Sequence, residues 1–230
     1  MEAFDAFAWA RQVAGELENE FGERLVFVGL QGSRARGEAH EGSDIDLVVV
    51  LDRLDARDLA RYRGIIARQP HADLACGFIG SHAVLAAWPR HELFQFVNDT
   101  RPVRGTLAGI GEPFTRADAA EAARIGASGI YHAACHASVF DGDAADDILK
   151  GLFKGAFFTL QALSFTRTGA YPPTKAVLAA QLAADGPRDE ARILEIGRTW
   201  DERRPADDTA RQELVDVLLT WSERVLATCR

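Results

Sequence analysis

Apolar residues recur at spacings of three and four over Phe7, Ala10, Ala14, Leu17 and Phe21, which predicts an amphipathic helix ending near Gly22. The pattern then changes. Leu25 to Leu30 is a short apolar run rich in β-formers, and Ile45 to Leu51 is another, with three consecutive valines. Both read as buried strands. A helical pattern returns between Asp55 and Ala67, and Ala72 to Ile79 reads as a third strand after Pro70. Leu93 to Val97 and Val103 to Leu107 are expected to add a further strand or hairpin. Strands alternating with helices imply a mixed α/β sheet in the first half of the chain.

From about Thr115 only helical periodicity remains. Leu149, Leu152, Phe153, Ala156, Phe157, Leu160 and Leu163 form a wide apolar stripe. Tyr171-Pro172-Pro173 interrupts it, and the chain re-enters a helix that runs toward Gly186. Pro187 opens another, carrying Ile193, Ile196 and Trp200, and Leu214, Leu218, Trp221 and Val225 mark a last one. The expected organisation is α+β, with a mixed-sheet domain and its flanking helices over 1–114 and an all-α helical bundle of four or five helices over 115–230. No internal repeat or low-complexity linker separates the two, so they are expected to pack closely.

The chemistry concentrates between Gly32 and Val50, in GSRARGEAHEGSDIDLVVV. Gly32-Ser33 follows a strand and opens a short helix. A glycine there lets backbone approach a phosphate, and the free N–H groups of a helix start attract anions. Asp44-Ile45-Asp46 begins the next strand. Alternation puts both carboxylates on one face while Ile45 enters the core. Two adjacent carboxylates repel, and a divalent cation with a taste for hard oxygen, Mg²⁺, relieves that cost. A third acid is expected on a neighbouring strand, and Asp73, between Ala72 and Leu74, fits the place. Three carboxylates around two Mg²⁺ ions would activate an acceptor hydroxyl and stabilise a leaving pyrophosphate.

Gly32-Ser33, a spacer, then Asp44-Ile45-Asp46 with apolar flanks resembles the signature of the DNA polymerase β-like nucleotidyltransferase superfamily. The order of a catalytic domain and a helical bundle resembles its aminoglycoside-nucleotidyltransferase type. The resemblance implies metal binding by Asp44 and Asp46, a third acid at Asp73 that binds metal or accepts the acceptor's proton, and triphosphate binding at Gly32 and Ser33. It also implies a homodimer, and ATP as the default nucleoside triphosphate. One departure stands out: many relatives have an aromatic residue before the Gly-Ser pair, where this chain has Gln31. Arg34 and Arg36 lie near enough in sequence to reach a triphosphate, and Arg36 is the preferred phosphate contact.

Composition narrows the partners. The net charge is −8, with acids and arginines interspersed. This favours a cationic small-molecule acceptor over nucleic acid, which usually meets a basic face. No apolar run approaches a membrane span and the N-terminus carries no leader pattern, so the expected location is the cytoplasm. The cysteines Cys76, Cys135 and Cys229 are too few and too scattered for a disulfide framework.

Lys150, Lys154 and Lys175 are the only lysines of the chain. Lysine is a compact point charge suited to phosphate. Lys150 and Lys154, one helical turn apart, are therefore expected to reach the nucleotide from the bundle, placing catalysis between the two parts. His132 and His136 lie four apart near Cys135 but lack further ligands, and they read as ordinary helix residues. The run Asp141, Asp143, Asp146 and Asp147 reads as a helix-start cap and solvated loop, with binding of a cationic acceptor as the alternative.

Two rival functions share the motif. One is an AMPylating or antitoxin-like transferase, whose acceptor is a protein, and such antitoxins seldom carry a full bundle. The other is a non-catalytic nucleotide sensor, which would be expected to have lost one of the acids.

Overall fold

The computed structural model describes residues 4–229. Contacts divide the chain into two compact units, one ending at Pro113 and one beginning at Phe114.

The first unit opens with α1 (Ala6–Phe21), capped by the Asp5 side chain, which accepts the Ala8 N–H. Then come β1 (Leu25–Gln31), the five-residue α2 (Gly32–Arg36), β2 (Ile45–Leu51) and α3 (Ala56–Ile66). The reciprocal capping box of Asp55 and Asp58 starts α3. There follow β3 (Ala75–Ser81), α4 (His82–Ala86), α5 (Arg90–Asp99) and β4 (Arg101–Gly105). The strands form one mixed sheet in the order β3-β2-β1-β4, with β2 parallel to β3 and β1 antiparallel to both β2 and β4.

One face of the sheet is sealed by α1 and α3. Ile45, Leu47, Val49 and Leu51 of β2 share a buried cluster with Val28 and Leu30 of β1, Val13 and Leu17 of α1, and Ile65 of α3. Strand alternation therefore turns Asp46, Val48 and Val50 to the other face. There Phe78, Trp88 and Phe96 meet edge to face, with ring centroids 5.0–5.5 Å apart.

Two expectations are corrected here. Leu93 to Val97 lies within α5, a helix, and only Arg101–Gly105 adds a strand. A run of Leu and Phe this short suits either state; Pro89 at the N-cap and Glu92 in the first turn favour the helix. The third strand begins at Ala75 rather than Ala72, because His71 to Leu74 form a turn closed by the Leu74 N–H to the His71 carbonyl.

The second unit is helical throughout: α6 (Arg116–Phe140), α7 (Ala145–Thr168), α8 (Lys175–Asp185), α9 (Arg188–Arg198), the four-residue α10 (Trp200–Arg203) and α11 (Asp208–Thr228). The fold is thus a mixed-sheet domain flanked by helices and followed by a long all-helical bundle. On α6, Ala119, Ala123, Ala127 and Ala134 are fully buried, forming a narrow stripe, whereas α7 buries Leu149, Phe153, Phe157 and Leu160. Small residues facing bulky ones let the two helices approach closely. A Cβ at Gly126 would meet the Thr159 hydroxyl at 2.3 Å. The fully buried Glu190 of α9 is held by Arg167 of α7 at 2.7 Å and Arg224 of α11 at 3.2 Å, which ties three helices at one point.

The pairing of β2 with β3 requires a glycine. Gly77 has φ +123, and a Cβ there would lie 2.1 Å from the Leu47 carbonyl oxygen. Gly77→Ala is therefore expected to cost about 2–4 kcal/mol through backbone strain and overpacking. Gly15→Ala, in α1 with nothing within 4 Å, is expected to stabilise by about 0.5–1 kcal/mol. Chemical denaturation of the two variants beside the parent chain checks both signs.

Candidate functional site

The site forms where β1 runs into α2 and β2 begins. Gln31 and Asp46 are paired across β1 and β2, and Asp46 is paired with Cys76 across β2 and β3. Asp44 is exposed just ahead of the strand and Asp46 is half-buried within it. Gly32 has φ +72, and a Cβ on it would sit 2.0 Å from Asp46 Oδ2. Only glycine lets the turn press against the carboxylate in this way. Burial, followed by the charge of Asp44, raises the Asp46 pKa above the ordinary carboxylate value, with Arg36 and Arg34 pulling the other way.

Both arginines of α2 are committed to neighbours. The Arg34 guanidinium donates to the backbone carbonyls of Glu41, Ser43 and Asp44, which fixes the loop leading into β2, and it stacks over Phe4 at 4.7 Å. Arg36 is only 7% exposed; it donates to both oxygens of Asp99, at 2.7 and 2.9 Å, and to Glu38 at 3.1 Å. Burial works against its charge, but Asp99 and Glu38 outweigh that and keep its pKa above the ordinary value. Arg36, the expected phosphate contact, is thus engaged by Asp99 and Glu38, and it would have to release Asp99 to reach a ligand.

Asp99, at the end of α5, also accepts the Gly32 N–H at 3.3 Å. Burial pushes its carboxyl up, and Arg36 offsets this. Gln31, the departure from the family pattern, donates from Nε2 to the Phe96 carbonyl at 3.0 Å and to the Thr100 hydroxyl at 2.7 Å. The end of α5 is thus fastened to the β1–α2 junction by Gln31, Gly32 and Arg36. Sequence reasoning missed Asp99. It follows a run read as strand, and no local pattern marks an acid that acts across 63 residues of chain.

Asp73 does not lie within a strand. It sits in the turn before β3 and lines an open pocket of about 660 Å³ along the outer edge of that strand, together with Tyr62, Arg63 and Ile66 of α3. Burial, followed by the nearness of Cys76, pushes the Tyr62 hydroxyl up to about 12. No group of three or more His, Cys, Asp and Glu side chains is gathered for a metal among the described residues. The expected three-acid cluster is therefore not assembled, and the pair Asp44 and Asp46 stands with Asp99 as its acidic neighbour.

In the helical unit, Lys150 donates to Asp201 of α10 at 2.7 Å, and Lys154 is exposed on the same helix. Asp146 pairs with Arg211 at 2.7 Å and Asp141 with His136 at 2.9 Å, so these acids have partners within the bundle. No helix among the described residues is long and apolar enough to cross a membrane.

The nucleotidyltransferase domain family matches residues 10–80, a span that holds Gly32, Ser33, Asp44, Asp46 and Asp73 and stops short of α5. No curated protein matches the sequence. Among solved structures, the chain is similar to a spectinomycin adenyltransferase from Enterococcus faecialis, determined with ATP and spectinomycin. The identity is 14%, the TM-score is 0.57, and the match covers 96% of this chain and 99% of that one. This likeness is one of fold, and it extends through the helical unit. Residues 10–80 thus carry a nucleotidyltransferase domain, and the fold continues into a C-terminal helical region.

Proposed function

We propose that the protein transfers a nucleoside monophosphate, AMP by default, from a nucleoside triphosphate to a hydroxyl of a small cationic acceptor of the aminoglycoside kind. The observation that carries this reading is the Asp44/Asp46 pair with Gly32 pressed against Asp46. The full-length likeness in fold to an adenyltransferase determined with ATP and spectinomycin supports the donor and the acceptor class. The net charge of −8 suits a cationic acceptor. That likeness includes the helical region, which favours a small-molecule transferase over an antitoxin-like module.

The residues present fit Mg²⁺. Asp44 and Asp46 supply hard oxygen donors, and burial, followed by the neighbouring charge of Asp44, raises the Asp46 pKa, a cost that a bound cation relieves. When bound, Mg²⁺ would neutralise the triphosphate and favour ionisation of the acceptor hydroxyl. Gly32 and Ser33 hold the phosphates at the start of α2. The acceptor oxygen attacks the α-phosphorus, the new O–P bond forms, and the bond to the β-phosphate oxygen breaks to release pyrophosphate. The acceptor's proton passes to a carboxylate or water.

Incubation of the protein with Mg²⁺, each α-labelled nucleoside triphosphate and a panel of aminoglycosides and spectinomycin tests the reading. Label is expected on an acceptor, with ATP as the preferred donor. Asp44→Ala/Asp46→Ala should reduce transfer by roughly a thousandfold or more, equivalent to about 4 kcal/mol. Label on protein instead of any small molecule would favour the AMPylating alternative.

The Asp46 carboxylate should also cost stability. Because its folded pKa is raised, the folded chain binds more protons there than the unfolded one. Stability therefore falls as pH rises from the unfolded pKa through the folded one, and the cost is fully present above it. Asp46→Asn is expected to raise the thermal midpoint of the metal-free protein at neutral pH by roughly 2–4 °C, what about 1 kcal/mol amounts to in a chain of this size. The gain should shrink at acidic pH. A midpoint at neutral pH no higher than that of the parent would show that the carboxylate carries no such cost.

A further inference from the structure

We propose that Asp99 is a positioning residue for the cation site: it keeps Arg36 off the Asp44/Asp46 carboxylates. The proposal rests on the reading of that pair as the divalent-metal site.

The five-residue α2 places two arginines beside two carboxylates that must stay open to a cation. Left unpinned, a guanidinium so close to Asp46 would pair with it through two parallel hydrogen bonds and compete with a metal for the same oxygens. Arg34 is prevented from doing so by three backbone carbonyls of the loop into β2. Arg36 is held instead by the side chains of Asp99 and Glu38. Asp99 takes the Arg36 Nη1 on both of its oxygens, which ties that arm of the guanidinium away from Asp46.

The holder is itself firmly placed. Asp99 is 8% exposed on a helix end that Gln31 fastens to β1, and its carboxylate also takes the Gly32 N–H. Gln31 is the residue paired with Asp46 across the strands, so the fastening lies directly beside the carboxylate that needs to remain free. A buried carboxylate at this point adds negative charge next to Asp46, which is tolerable only while Arg36 is bound to it. Asp99 and Arg36 thus neutralise one another and leave the metal pair unblocked.

A staple that merely joined α5 to α2 would predict something different. Under that account, losing either partner, or both, weakens the site in step with the lost stability. Under the positioning account, removing Asp99 alone frees a cation to block Asp46, and removing Arg36 as well lifts the block.

The test is Mn²⁺ binding to the full chain without nucleotide, followed by the paramagnetic resonance of the free ion, with thermal midpoints measured in parallel. Asp99→Asn should weaken Mn²⁺ binding by about tenfold or more. Asp99→Glu, which keeps the charge, should stay near the parent. Arg36→Gln/Asp99→Asn should return to within about threefold of the parent even where its midpoint is lower. A double variant as weak as Asp99→Asn, or an Asp99→Asn protein that binds Mn²⁺ like the parent, overturns the proposal. If Asp99→Asn fails to fold, the double variant decides alone: parent-like binding supports the proposal, and a tenfold loss overturns it. Asp46→Asn separates the two claims, since Mn²⁺ binding in the parent that survives this change would overturn the metal-site reading and the proposal with it.

Discussion

The close approach of Gly32 to Asp46 governs the arrangement of the whole site. With the glycine at φ +72 and no room for a Cβ beside the carboxylate, β1 can turn into α2 directly over the start of β2. Any side chain at position 32 would push the helix start away from Asp46. The contact in turn decides where the charges fall. A helix of five residues that starts beside Asp46 cannot avoid bringing Arg34 and Arg36 into the field of the same carboxylate, and both lower its pKa. The remaining polar contacts of the region follow from that crowding: carbonyls of the 41–44 loop take Arg34, and α5 takes Arg36.

The sheet supplies the rigidity this needs. β2 is an interior strand, hydrogen-bonded on both sides, and from Leu47 to Leu51 every residue is fully buried. A half-buried carboxylate at its start is held in place by the strand's packing rather than by a partner of its own. Burial and the Asp44 charge both oppose its ionised form, so the apolar core sustains a local electrostatic cost at the point proposed for the cation. Gly77 does comparable work on the opposite side of β2, letting the edge strand β3 come close enough to pair with it.

Much of this was legible in the residues. The runs Leu25–Leu30 and Ile45–Leu51 are apolar and bounded by glycine or polar residues, and each is a strand within a residue of its expected ends. The helical half was readable because its stripes are long, and periodicity over twenty residues is hard to mistake. The short segments were harder. Leu93 to Val97 carries β-forming residues, yet Pro89 and Glu92 start a helix there and Phe96 packs on Phe78 and Trp88. Asp73 was assigned by its apolar flanks, which suit a turn beneath α3 as well as a strand. For Arg36 and Lys150 the sequence shows a charge but not its partner. Their partners, Asp99 and Asp201, lie 63 and 51 residues away.

The position of α5 changes what should count as the functional unit. The family match ends at residue 80, before α4 and α5 begin, yet three groups at or beside the Gly-Ser turn depend on the end of α5. Gln31 has its amide on Phe96 and Thr100, while Gly32 and Arg36 both donate to Asp99. Gln31 is therefore a residue with a partner: its amide anchors the end of α5 by hydrogen bonds to Phe96 and Thr100. The motif supplies the carboxylates and the turn, and a later helix controls the charge around them. In this chain, a change in α5 far from the motif in sequence acts at the site itself, through the same few hydrogen bonds that fix the turn.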